Sequence, residues 1–118
     1  MEGLTHYHKE ERPWGNFLRF TQNESSTVKV ITVNPGEAFS LQKHEKRNEF
    51  WYVLAGRGKV TVGEGTSSAK AGSSFFIPQG TLHRAEAAPD NQLVLLEIAF
   101  GLFDEEDVLR IEDRYGRV

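Results

Sequence analysis

The sequence contains no cysteine. Disulfides and thiolate metal sites are therefore excluded, and histidine, carboxylate and amide side chains remain as the available ligands. Basic charge is not in excess either: the formal net charge is −3 and the pI is near 5.8. A nucleic-acid binder would show a basic face, so no nucleic-acid partner is expected. No apolar run approaches bilayer-spanning length, and residues 1–12 lack the apolar centre of a secretion signal, so a cytoplasmic protein with no membrane partner is expected. Internal repeats and low-complexity tracts are also missing. What is present is an ordinary mixture, 38% hydrophobic and 26% charged over 118 residues, enough for one core. The expectation is a single domain over 1–118 with residues 1–12 as a flexible arm.

Short β-type segments recur between turn signals. Residues 28–33, VKVITV, are β-branched and apolar, and residues 93–100, LVLLEIAF, are the most apolar stretch. The latter reads as a central strand with Glu97 as its one charged member. Further short strands are expected at 17–21, 59–62, 66–71, 74–77 and 83–87. Turns every 8–12 residues or so between such strands mark a sandwich or small barrel. Residues 104–113 differ. Asp104 can cap a helical turn, and Val108, Leu109 and Ile111 form an apolar stripe, so a short C-terminal helix is expected there.

The chemistry concentrates in residues 35–58, PGEAFSLQKHEKRNEFWYVLAGRG. Gln42 and His44 are two apart and share a face of a strand. Glu49 lies at an odd offset from His44, but the all-polar 45–48 stretch reads as a turn that resets the parity. The return strand then carries Glu49, Trp51 and Val53 on one face, and Phe50, Tyr52 and Leu54 on the other. His83 follows the Pro78-Gln79-Gly80 turn. Together Gln42, His44, Glu49 and His83 form a mixed nitrogen and oxygen set suited to one divalent first-row metal with open positions.

These residues carry a family resemblance. Gly36, Gln42, His44, Glu49 and Gly56 follow the first cupin motif, with Gln42 where many cupins have histidine. Gly72, Pro78, Gly80 and His83 follow the second, with Ala87 in place of its closing asparagine. More narrowly, Arg12-Pro13-Trp14-Gly15, the 35–51 block and the 106–117 tail resemble the cupin domain that ends type II phosphomannose isomerases. Residues 12–117 are covered, in order and at the right spacing. The chain departs from the pattern at Glu45, Lys46 and Phe50, which changes the rim but removes no ligand.

The resemblance implies an all-β fold, the cupin double-stranded β-helix or jelly roll. It implies a metal site (Zn, Mn, Co, Ni or Fe) and an aldose–ketose isomerase acting on a phosphorylated hexose, mannose 6-phosphate to fructose 6-phosphate. Glu97 is the better candidate base and Glu86 the weaker. Arg47, Arg114 and Arg117 are candidates to clamp the phosphate, Arg117 also counting as catalytic, because guanidinium fits phosphate oxygens. Trp51 is a candidate sugar contact. Arg57 and Arg110 read as surface ion-pairing residues. Nothing Gly-rich precedes a helix, so guanylyl transfer is not expected of this stretch. A homodimer is expected. Two other readings stay open: a non-catalytic sugar- or metabolite-binding module, and an iron-dependent oxygenase.

Overall fold

The computed structural model describes residues 1–117. Ten strands follow in chain order: β1 (His8–Arg12), β2 (Gly15–Arg19), β3 (Thr27–Val33), β4 (Leu41–Lys43), β5 (Arg47–Val62), β6 (Gly65–Lys70), β7 (Ser74–Ile77), β8 (His83–Ala87), β9 (Leu93–Gly101) and β10 (Leu109–Glu112). β1 and β2 form an antiparallel hairpin of their own. The remainder run β10-β4-β8-β5-β9-β3, with β6 and β7 also on β5.

The 16-residue β5 organises the whole. Its first part, from Arg47 to Gly56, pairs with β9, and Glu49 to Tyr52 also pair with β7. Its second part pairs with β6 and β8, from Arg57 or Gly58 to Val62. The chain thus leaves one sheet and enters the other without stopping. Gly56 and Gly58 permit this. A Cβ at Gly56, whose φ is +86°, would lie 1.8 Å from the Gln92 carbonyl oxygen, and one at Gly58 would lie 2.0 Å from that of Glu86. The sequence reading placed a break here and a separate strand at 59–62; the glycines bend one strand instead.

Between the two sheets lie Val33, Trp51, Val53, Val60, Ile77, Ala85, Leu93 and Leu95, all buried. This is the jelly roll that the family resemblance implied, and it accords with the sandwich or small barrel expected from the strand pattern. Two expectations are corrected. The N-terminal arm is structured from His8, because the RPWG turn lets β1 pair with β2 from His8↔Arg19 to Arg12↔Gly15. Phe20, just after β2, packs against Phe50 and Tyr52 and ties the hairpin to the outer face. There is no helix among the described residues. Asp104 does cap a turn, its Oδ1 accepting from the Glu106 amide. The following residues then pair with β4 as strand β10, which supplies the backbone partners a helix would have supplied locally.

Candidate metal centre

Three elements deliver the ligand-type side chains to one place. β4 runs into the turn that holds His44, β5 opens with Arg47 and Glu49 facing inward, and β8 begins at His83, opposite Gln42. One nitrogen or oxygen from each of His44, Glu49 and His83 lies within 4.8 Å of the others, and all three residues are buried. His44 Nε2 is 3.7 Å from Glu49 Oε2, and His83 Nε2 is 3.3 Å from Glu49 Oε1.

Both imidazoles are oriented from behind. His44 Nδ1 donates to the Asp107 carbonyl at 2.5 Å, and His83 Nδ1 to the Thr81 carbonyl at 2.8 Å. With the proton on Nδ1, each Nε2 carries a lone pair, the arrangement found behind metal-bound histidines; that of His44 accepts from Arg47 Nη2 and that of His83 meets no donor among the described residues. Burial pushes His44 below its usual pKa and favours that neutral form, the Asp107 carbonyl acting in the other direction. Glu49 Oε1 and His83 Nε2 are buried and satisfy no hydrogen bond, although only 3.3 Å apart. Orphaned atoms of this kind are rare unless something else binds them. The donor set therefore fits a divalent cation. Gln42, the fourth expected ligand, has its Oε1 accepting from Ser40 Oγ at 2.9 Å.

Arg47 is the surprise. Expected as a phosphate clamp, it is only 5% exposed and faces the ligand group. Its Nε donates to Glu49 Oε2 at 3.0 Å, Nη1 to the Asp104 carbonyl at 3.1 Å, and Nη2 lies 3.2 Å from His44 Nε2. The i, i+2 relation to Glu49 is the signal that could have placed it, had the strand been started two residues earlier. Burial alone would raise the Glu49 pKa. When protonated, the close imidazoles of His83 and His44, with Arg47, outweigh it and hold the carboxyl down at about 2.

Glu97 stands across from this group, buried on β9 and bonded by Trp51 Nε1 at 3.1 Å. Burial, reinforced by the Glu49 charge, raises its pKa to about 7. A cavity of about 200 Å³ opens over the site, with Gln42, His44, Arg47 and Glu97 on its inner side and Lys29, Arg110 and Arg117 among its other lining residues. Lys29 was missed by sequence reading, though it shares strand parity with Ile31.

Three expected site residues are elsewhere. Glu86 follows His83 at an odd offset, so the pleat turns it to the outer groove, where it binds Arg114 Nη2 at 3.1 Å. Arg114 is thereby also outside, its Nη1 on the Gly36 carbonyl. Trp51 is 1% exposed and packs edge-on against Phe39 and His83. It holds Glu97 from within the core and does not line the cavity.

Comparison with known proteins agrees with this fold. The family described as mannose-6-phosphate isomerase C-terminal matches residues 2–113. The chain belongs to this family. Its relatives include the mannose-1-phosphate guanylyltransferase ManC of Salmonella typhimurium, 42% identical over 96% of this chain and 24% of the relative. The xanthan biosynthesis protein XanB of Xanthomonas campestris is 39% identical over the same shares. The mannose-6-phosphate isomerase C-terminal domain seen here thus spans about a quarter of the length of these curated relatives. A Klebsiella pneumoniae protein with a double-stranded β-helix domain shares the fold, with a TM-score of 0.65 at 19% identity, covering 79% of this chain and 80% of that one. No helix among the described residues is long and apolar enough to cross a membrane.

Proposed function

We propose that this domain interconverts a phosphorylated aldose and ketose, mannose 6-phosphate and fructose 6-phosphate, with a divalent metal held by His44, Glu49 and His83. The observation that carries the reading is a buried His44, Glu49 and His83 group beside a cavity lined by His44 and by Glu97, a carboxyl whose pKa is raised to about 7. A bound metal would act as a Lewis acid toward the carbonyl and hydroxyl oxygens of the sugar. The remaining work falls to the chain itself.

Glu97, with a pKa of about 7, is partly ionised at neutral pH and partly able to donate. It takes the proton from C2 of the aldose and returns it to C1 of the enediol, while the proton of the C2 hydroxyl ends on the C1 oxygen. Trp51 keeps the carboxyl aimed through its indole N–H. Burial of Glu49, His44 and His83 excludes water from the side of the enediol that faces them. Arg117 lines the cavity from the tail, where it can meet the substrate's anionic end, although it is also held by Asp113 at 2.8 Å. Guanylyl transfer, which names the Salmonella relative, is not part of this reading, because the matched quarter is the segment described as isomerase C-terminal.

The test is conversion of mannose 6-phosphate by the purified chain, stripped of metal and reloaded singly with Zn, Mn, Co, Ni or Fe. Metal-dependent formation of fructose 6-phosphate, abolished in Glu97→Gln, is the expected result. No turnover with any of these metals would overturn the isomerase reading.

A further inference from the structure

Among the described residues, Arg110 is the one cavity-lining arginine with nothing to hold. It sits on β10 directly opposite Gln42 of β4, and residues opposed in an antiparallel ladder share a face. Its side chain therefore turns inward with that of Val108, and both line the cavity that Gln42, His44 and Glu97 also line. Its Nε is buried and has no hydrogen-bond partner among the described residues. By contrast, Arg47, Arg57, Arg84, Arg114 and Arg117 each hold a carboxylate. A buried guanidinium N–H left unpaired is costly, so an arrangement that keeps one calls for an acceptor from outside the chain.

The surroundings say which kind. Lys29, Arg47 and Arg117 line the same cavity with Arg110, against two carboxylates, Glu97 and Glu105, so positive charge is in excess there. The Lys29 partner is Glu105, which is 73% exposed, and such a surface pair exchanges readily for a better anion. Guanidinium offers a planar fork that matches phosphate oxygens with two parallel bonds, whereas ammonium acts as a point charge.

We infer that Arg110 anchors the anionic group of the ligand, a phosphate monoester, with Lys29 and Arg117 closing round the same group. This rests on the cavity chosen above and identifies the phosphate of the proposed hexose phosphate as what Arg110 holds. It places the anchor on β10 and not on Arg114, which lies in an outer groove of about 560 Å³ with Lys59, Lys70 and Glu86.

The experiment is a titration of the ¹⁵N-labelled chain with inorganic phosphate and with mannose 6-phosphate, following the arginine Nε–Hε resonances. Saturable movement of the Arg110 resonance by both ligands is expected. Arg110→Lys should weaken phosphate binding by about 10-fold or more and raise KM for mannose 6-phosphate with kcat little changed. Its metal content should stay at the wild-type level. Arg114→Lys should bind phosphate as the wild type does. Phosphate that moves Arg114 and leaves Arg110 unmoved, or that binds Arg110→Lys unchanged, overturns the inference. The wild-type titration decides the matter even if an Arg110 variant does not fold. Phosphate bound through Arg110 with no sugar turned over would remove the isomerase reading and leave this one. Turnover by Arg110→Lys at wild-type KM would do the reverse.

Discussion

Trp51 and Glu97 face each other across the β5–β9 ladder, and the Trp51 indole N–H donates to Glu97 Oε1 at 3.1 Å. The core aromatic thereby supplies a strand-to-strand bond that stabilises the Glu97 carboxylate against burial. Trp51→Phe keeps the packing and removes the donor. The Glu97 pKa should then rise by about one unit above its value near 7, since the lost bond favours the ionised form. Carboxyl ¹³C titration of the metal-free protein measures it, and an unmoved midpoint would show that the bond is idle.

Glu97 and Glu49 should give metal-free stability opposite slopes with pH. Glu97 is raised from 4.5 to about 7, so the folded state holds its proton longer. Its contribution is full below pH 4.5 and is lost as pH rises through 7, about 3 kcal/mol in all. Glu49 is lowered from 4.5 to about 2, so its contribution is present above pH 4.5 and disappears as pH falls toward 2. Glu97→Gln should flatten the alkaline limb and Glu49→Gln the acid limb of urea-denaturation midpoints plotted against pH.

Metal loading should raise the Tm. At a free metal concentration about 100 times Kd the linkage is worth about 2.7 kcal/mol. His83→Ala removes one of three converging ligands and should abolish both the bound metal, by elemental analysis, and the Tm increment. A variant that keeps the increment would exclude His83 as a ligand.

Asp107 is placed to hold the ligand turn. Its two carboxylate oxygens accept from the amides of Glu45 and Lys46, each at 3.0 Å, and its carbonyl accepts from His44 Nδ1. Asp107→Ala should loosen the turn and lower metal affinity by roughly 10-fold with the ligands intact. Competition against a chelator would read the change.

Gly58 tests the sheet crossing. A methyl there would meet the Glu86 carbonyl at 2.0 Å, and backbone cannot swing aside as a side chain can. Gly58→Ala should cost about 3 kcal/mol or more in urea unfolding, whereas Gly36→Ala, with open space around it, should cost less.

The sequence by itself determined what period-two alternation can carry. Within one strand the pleat settles which residues share a face, so Glu49 with Trp51 and Val53, and the outward turn of Glu86 from His83, follow from spacing alone. The same parity put Glu97 inward with Leu93 and Leu95, and the bend at 45–46, shorter than the expected 45–48 turn, brought His44 to Glu49. Tertiary structure decided whatever depends on a partner far along the chain. Residues 104–113 have an apolar stripe that suits a helix, but the free edge of β4 offers hydrogen bonds to Leu109–Glu112, and pairing there turns Arg110 into the cavity. Arg114 and Glu86 are 28 residues apart and meet only because two outer surfaces adjoin. The buried position of Arg47 needs Glu49, His44 and the Asp104 carbonyl at once. Strand periodicity is a local, near-neighbour property, whereas the charge environment of a cavity is a sum over segments that only folding brings together.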